Sequence, residues 1–361
     1  MSYYNNFSLF NFEEPYSLPV KEKNKIFLFL LNQLTDHHYK NSLSYKKIIS
    51  SLSYDKYANN ITDIPFIPVR LFKIIDLISV TRSEIFKTLT SSGTTGQSVS
   101  RIYLSRENSL MQVKILSSIL ANFLGNKRLP MILIDEESVL KDRNHFNARS
   151  AGILGFSIFG RNHIFALDSQ MKLKESELIE YININNRKGI FLFGFTFVIW
   201  KYFYHNLVKI NKQIDFGAGS ILLHGGGWKK LNEESVSNTI FKKKLLERTG
   251  LERIHNYYGM VEQTGTVYME CEYGSLHTSD YSDIIIRDPI NFKPLPFNER
   301  GLIQVISLLP ISYPGHSLLT EDVGQILGED DCPCGRMGKY FQVFGRIASA
   351  EARGCSDVRQ Y

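Results

Sequence analysis

At 361 residues, with 43% hydrophobic content and a formal charge of +6, the chain is long enough for one large domain or two unequal lobes with well-buried cores. It is neither disordered nor collagenous in composition, no apolar run is long and charge-free enough for a membrane span, and Met1-Ser-Tyr-Tyr-Asn-Asn lacks the basic start and apolar centre of a signal peptide. The expected compartment is the cytoplasm, and the scattered lysines, clustered only at Lys242-Lys243-Lys244 without interleaved aromatics, predict no nucleic-acid partner.

From about residue 20 to 60, apolar positions such as Ile26, Leu28, Leu30 and Leu31 recur at helical spacing and glycine is scarce, which predicts a helical N-terminal region. Pro65 and Pro68 end it and force the chain into an extended path. Beyond them short β-rich runs alternate with helical ones. The first is Arg101–Leu104; a helix starts at Ser105, a good N-cap, with Leu110, Val113, Leu116, Leu120 and Phe123 on one face. Further strands are predicted at Met131–Ile134, Ile164–Leu167, Gly189–Phe193, Ile221–Leu223, Ile284–Ile286, Leu302–Ser307 and Phe341–Phe344. Alternation of this kind predicts an α/β layered fold, here divided as 1–85 (helical region packed on the core), 86–345 (α/β core) and 346–361 (tail).

Ser91-Ser92-Gly93-Thr94-Thr95-Gly96-Gln97-Ser98 has the hydroxyls and glycines of a loop that wraps a polyphosphate, although taken alone it equally suits a polar linker. No Gly-Lys-Ser/Thr comes after it, and the loop precedes a strand rather than opening a helix, so neither the P-loop nor the Rossmann fingerprint applies. Three later patches suit the rest of a nucleotide. His224-Gly225-Gly226-Gly227-Trp228 ends a strand where a flat base can lie on bare backbone, though an ordinary strand-ending turn suits it equally. Tyr257-Tyr258-Gly259-Met260-Val261-Glu262 offers rings to stack on the base and a carboxylate for Mg²⁺, with core contacts for the tyrosines and a solvated helix-start acid as the plainer alternatives. Thr320-Glu321-Asp322 offers a carboxylate for ribose hydroxyls, with an Asx turn as the plainer alternative.

The four cysteines, 271, 332, 334 and 355, all fall in the last quarter of the chain, which predicts metal binding or thiol chemistry rather than a disulfide framework. Cys271, His277, Cys332 and Cys334 supply three sulfurs and one imidazole, the ligand set of a closed structural Zn²⁺ site; three reduced, partly buried thiols are the alternative.

The Ser/Thr/Gly loop, glycine run, Tyr258-Gly-x-x-Glu262, Thr320-x-Asp322 and Gly345-Arg346 stand in the order found in the adenylate-forming superfamily. Within it the chain most resembles the acyl-protein synthetases of the bacterial bioluminescence fatty-acid reductase complex. The matching stretches are Ile67–Lys73, Ser91–Ser98, Ala151–Gly155, Phe193–Thr196, His224–Lys230, Tyr258–Gln263 and Arg353–Asp357. The resemblance implies attack of a carboxylate on ATP to give an acyl-adenylate, then thioester formation on a thiol. It implies that Ser91, Ser92, Thr94 and Thr95, with Gly93 and Gly96, surround the phosphates. Gly225, Gly226, Gly227, Tyr257, Tyr258 and Gly259 would frame adenine, Asp322 the ribose, Glu262 Mg²⁺, and Arg346 would steady charge during turnover.

Relatives that form acyl-CoA carry a lid domain with a catalytic lysine beyond the hinge. Here only Ile347–Tyr361 lie beyond Arg346, so no C-terminal lid is expected, and Ala348 and Ser349 stand where many relatives place a hinge acid. Acyl-protein synthetases use a cysteine near the C-terminus, which Cys355 matches, for delivery to an acyl acceptor such as a reductase. Arg353 beside it would modestly favour its thiolate. Enzymes similar to phenylacetate-CoA ligase carry a zinc site in this part of the fold, as proposed for the Cys/His set. The other expectations kept open are an acid-CoA ligase and a non-catalytic, zinc-stabilised nucleotide-binding module. Phe193, Phe195, Phe197 and Trp200 mark an apolar region that suits an acyl chain or simply core.

Overall fold

The computed structural model describes residues 3–52, 57–91, 99–140, 148–185, 189–228 and 235–347, which divide into two compact units. One takes the chain up to Asn122 and again from Gly259; the other is Phe123–Tyr258.

The first unit opens with helices α1 (Val20–Asn41) and α2 (Leu43–Ser51). The buried stripe of α1 is Val20, Lys23, Phe27, Leu30, Leu31, Leu34, Thr35 and His38, so Ile26 and Leu28 lie off it. The offset arises because Lys23 and His38 find polar partners inside and occupy core positions that hydrophobicity alone would not assign to them. Strand β1 (Ile67–Pro68) pairs with Leu318 and Leu319 and so sets the segment Val69–Lys73 beside a long strand of the same unit. Strands β2 (Ile85–Thr90) and β3 (Arg101–Ser105) form a separate antiparallel hairpin. The hydroxyl of Ser105 accepts the N–H of Asn108 at 3.2 Å and caps helix α3 (Arg106–Leu124), as its sequence predicts. Leu110 and Val113 of α3 are exposed, however, and Asn108, Gln112, Ile115 and Ile119 are buried. The helix turns this partly polar face inward because Asn108 ties down a distant loop.

In the other unit, β4 (Leu129–Glu136), β5 (Gly160–Leu167), β6 (Phe191–Phe195), β7 (Ile221–Gly225) and β8 (Arg253–Tyr258) pair in parallel in the order β5-β4-β6-β7-β8. Helices α4 (Ala148–Ser157), α5 (Glu175–Asn185) and α6 (Thr196–Val198), a π-helical stretch Ile199–Tyr204, α7 (His205–Lys209) and α8 (Asn238–Thr249) lie between strands in sequence. The central strands β4, β6 and β7 are rich in apolar residues because both their faces are buried, whereas β5 and β8 carry polar, partly exposed residues. Register brings Phe195, Gly225 and Tyr257 side by side at the carboxyl ends of neighbouring strands, the end of an open α/β sheet that ordinarily receives ligands.

The first unit is completed by β9 (Tyr268–Glu270), β10 (Leu276–His277), β11 (Ser282–Arg287), β12 (Gly301–Ser307), β13 (Ser317–Glu329) and β14 (Lys339–Arg346). These run antiparallel in the order β11-β12-β13-β14-β10-β9, with β1 parallel to β13. The strands expected around 101, 131, 164, 191, 221, 284, 302 and 341 are therefore all present.

Candidate active site

In the first unit, Ser91 and Ser100 close the base of the β2–β3 hairpin: the Ser91 N–H donates to the Ser100 carbonyl at 3.1 Å and the Ser100 N–H to the Ser91 hydroxyl at 2.9 Å. The intervening Ser92, Gly93, Thr94, Thr95 and Gly96 lie outside the described residues, as does Cys355. Glu262 sits on the single 3-10 turn Val261–Gln263 and is buried. Burial pushes its carboxyl up, while the Ser100 hydroxyl and the charges of Lys73 and Arg346 pull it back toward the ionised form. Asp322 and Arg346 are cross-strand partners on β13 and β14, with Arg346 Nε 3.5 Å from Asp322 Oδ1. Thr320 shapes that corner: its hydroxyl donates to the Ile303 carbonyl at 2.7 Å and accepts the Asp322 N–H at 3.1 Å. The base of the Ser/Thr/Gly loop, Glu262 and the Asp322–Arg346 pair are thus all in one unit, with two cations acting on Glu262. Lys73 and Ser100 are absent from the site residues expected from sequence. Lys73 lies in a stretch that resembles the family but carries no motif chemistry, and only the β1–β13 pairing shows where it goes.

In the other unit, Gly225 is required by close approach, since a Cβ there would stand 2.4 Å from the Tyr257 ring. Tyr257 also packs on Phe156 (4.8 Å between centroids) and Phe193 (6.3 Å), so one of the two expected base-stacking rings is a member of an aromatic cluster. Tyr258 ends β8 and Gly259 comes next. His224 is buried, with Nδ1 2.9 Å from the Thr196 hydroxyl and Nε2 without a hydrogen-bond partner; burial, then the Lys242 charge, lowers it to about 3, which keeps it neutral. Phe193, Phe195, Phe197 and Trp200 are all buried. Trp200 stacks on Tyr204 at 4.6 Å along an open groove of about 330 Å³ that His205, Val208 and Ile240 also line.

Cys271, His277, Cys332 and Cys334 come together as predicted, their ligand atoms all within 4.8 Å of one another. Two short turns present them. In one, the Cys271 N–H meets the Ser275 carbonyl at 2.8 Å; in the other, the Gly335 N–H meets the Cys332 carbonyl at 3.0 Å, with Gly335 at φ +78°. The Cys271 and Cys332 sulfurs are 3.9 Å apart and Cys334 Sγ is 3.4 Å from His277 Nε2. Ligands about 2.0–2.3 Å from a tetrahedral Zn²⁺ stand about 3.3–3.8 Å apart, so the donor types fit and these two pairs stand close to that spacing, while the set as a whole, within 4.8 Å, is somewhat wider. Burial pushes the Cys332 thiol up to about 12 and brings His277 down to about 4, values a bound cation would override by displacing protons.

Residues 7–360 match the family described as "Acyl-protein synthetase, LuxE". The chain belongs to the LuxE acyl-protein synthetase family. A LuxE acyl-protein synthetase is a ligase, and so is this chain. It is similar to the long-chain-fatty-acid–luciferin-component ligase of Vibrio harveyi, 23% identical over 353 residues that cover 95% of this chain and 89% of that protein. The protein of the same name from Aliivibrio fischeri is 24% identical over 353 residues, covering 95% and 90%. Among solved structures, a 2-hydroxyisobutyryl-CoA ligase in an open conformation with 2-HIB-AMP and CoA aligns with TM-score 0.69 at 17% identity, over 93% of this chain and 77% of that one. The fold of this LuxE-family chain is therefore the α/β fold of adenylate-forming ligases, as its motif order predicts. Among the described residues, no helix is long and apolar enough to cross a membrane.

Proposed function

We propose that the chain activates a long-chain fatty acid with ATP and carries the acyl group on Cys355 to an acceptor protein. The fatty-acid ligase names of its relatives support the substrate class. In the first step the substrate carboxylate attacks the α-phosphorus of ATP, the bond to the pyrophosphate breaks, and an acyl-adenylate forms. In the second the Cys355 thiolate attacks the acyl carbon, the thiol proton having gone to solvent; AMP leaves and a thioester remains. A thiol on a short tail has a high effective concentration at the adenylate and needs no diffusible carrier.

The observation that carries this reading is buried Glu262, acted on by Ser100 at the base of the Ser/Thr/Gly loop and by the charges of Lys73 and Arg346. In our reading Glu262 holds Mg²⁺ on the phosphates, which Ser91, Ser92, Thr94 and Thr95 surround. Asp322 accepts the ribose hydroxyls and Arg346 offsets developing negative charge. Gly225–Gly227 and Tyr258 frame adenine, while Tyr257 backs Gly225 from its aromatic cluster. Cys271, His277, Cys332 and Cys334 hold a structural Zn²⁺, which supplies closure of two turns and no chemistry.

Acid-dependent exchange of pyrophosphate into ATP tests the first step. Glu262→Gln, which keeps the shape and removes the charge, should lower exchange by about 10²-fold or more; exchange at the parent rate would contradict the role of Glu262.

A further inference from the structure

Glu262 stands on a turn of three residues, Val261–Gln263, too short to fix its own orientation. The loop between β12 and β13 fixes it from beneath. The Tyr313 hydroxyl donates to the Glu262 carbonyl at 2.9 Å. The next side chain, Gln263, donates from Nε2 to the Gly315 carbonyl at 2.9 Å and to the Val305 carbonyl at 3.2 Å. Glycine at 315 allows this approach, because a Cβ there would meet the Tyr313 ring at 2.3 Å and the Glu262 carbonyl oxygen at 2.9 Å.

The loop is itself held rigid. Buried Asn108 on α3 accepts at Oδ1 from the Ile311 N–H (3.1 Å), the Ser312 N–H (3.2 Å) and the Ser312 hydroxyl (2.8 Å), and donates from Nδ2 to the Leu309 carbonyl at 3.1 Å. Tyr313 is 0% exposed and meets Phe72 edge to face at 6.0 Å, one residue before Lys73. A phenylalanine would fill the same space, so what the hydroxyl adds is the bond to the Glu262 backbone. That bond goes to backbone and not to the Glu262 carboxylate, so the hydroxyl acts on the turn that carries Glu262.

We propose that Tyr313 is a positioning residue for the Glu262 carboxylate, holding it in the orientation that binds a divalent cation. The inference rests on the reading of Glu262 as the Mg²⁺ ligand. Removing groups that orient a metal ligand typically weakens metal affinity or activity about 10–100-fold.

The test is the Mg²⁺ dependence of acid-dependent pyrophosphate exchange in the full chain, for the parent, Tyr313→Phe and Glu262→Gln, with thermal unfolding of each. Tyr313→Phe should raise half-saturating Mg²⁺ about 10–100-fold, with the rate recovering to within a few-fold of the parent at saturating Mg²⁺. An unchanged Mg²⁺ half-saturation overturns the inference, whether the rate is unaltered or depressed equally at every Mg²⁺ concentration. Exchange retained by Glu262→Gln with the parent's Mg²⁺ dependence overturns the underlying reading instead, and the inference with it. Should Tyr313→Phe fail to fold, Gln263→Leu removes the second strap; the same Mg²⁺ shift is expected, and its absence counts against the proposal in the same way.

Discussion

His38 and His316 stack 5.0 Å apart in the core of the first unit with their planes 23° from parallel. His38 Nδ1 meets the Ser79 hydroxyl at 2.8 Å and Nε2 the Pro310 carbonyl at 3.1 Å; His316 Nε2 meets the Thr35 hydroxyl at 3.1 Å, and its buried Nδ1 has no hydrogen-bond partner. Burial, reinforced by neighbouring imidazoles, holds His38 well below its ordinary range and brings His316 down to about 3. The unfolded chain protonates these rings near pH 6.5, whereas the folded chain protonates them only at much lower pH, near 3 for His316, so below 6.5 the unfolded state binds more protons. Stability is therefore full above about pH 6.5 and drains away as the pH falls. One such imidazole costs about 2 kcal/mol between pH 6.5 and 5. Thermal unfolding monitored over this range should show a falling midpoint, and His316→Gln should flatten the slope; an unchanged slope would mean that His316 is not the group being titrated. Nothing in the run Tyr313-Pro-Gly-His316 marks this histidine as core, because its partners on α1 are nearly three hundred residues away in sequence.

Helix α1 has Pro19 at its N-cap position and no side-chain cap of its own. The orphan Val20 N–H instead donates to Asp330 Oδ2 at 2.8 Å, two residues before Cys332, and Asp330 Oδ1 accepts the Gly338 N–H at 2.8 Å. Lys23 Nζ donates to the Ser279 and Ser282 carbonyls at 2.7 and 2.6 Å and to the Thr278 hydroxyl at 3.2 Å, just after His277. The Met337 N–H reaches the Tyr16 carbonyl at 2.9 Å. Residues 16–23 are thus sewn to both turns that present the proposed zinc ligands. Metal analysis should find about one zinc per chain, with Cys334→Ser largely metal-free. Chelation should speed amide exchange in residues 15–27 before it affects β11 to β13. Uniform protection after metal loss would show that the cluster does not brace this segment. The Cys/His set was legible as a candidate because three sulfurs and one imidazole make up a zinc-type ligand set, although its spacing is less diagnostic than paired Cys-x-x-Cys and reduced thiols suited it too. Lys23 was not, since a lysine on a helical stripe reads as solvated until its three acceptors are located. The buried face of α3 was read only in part for a similar reason: Leu120 and Phe123 are buried as expected, but Asn108 and Gln112 displace Leu110 and Val113 from the interior.

For the whole molecule, the alternation of strands and helices and the order of five short motifs were enough to anticipate an α/β adenylate-forming fold. What they could not convey was support. Glu262 was visible from its motif, whereas Ser100, Lys73 and Tyr313 acquire meaning only once β1, the β2–β3 hairpin and the loop after β12 are in place. Likewise Tyr257 and Tyr258 are equivalent neighbours in sequence, and only strand register sends the first against Gly225. The proposed route of the acyl group turns on Cys355, the last cysteine of the chain. Intact mass after incubation with ATP, Mg²⁺ and a long-chain fatty acid tests it directly. One added acyl group is expected, released by hydroxylamine at neutral pH and absent from Cys355→Ser, while that variant still exchanges pyrophosphate with the acid present. A Cys355→Ser chain that still gains the acyl group as a hydroxylamine-labile thioester would contradict the role of this thiol.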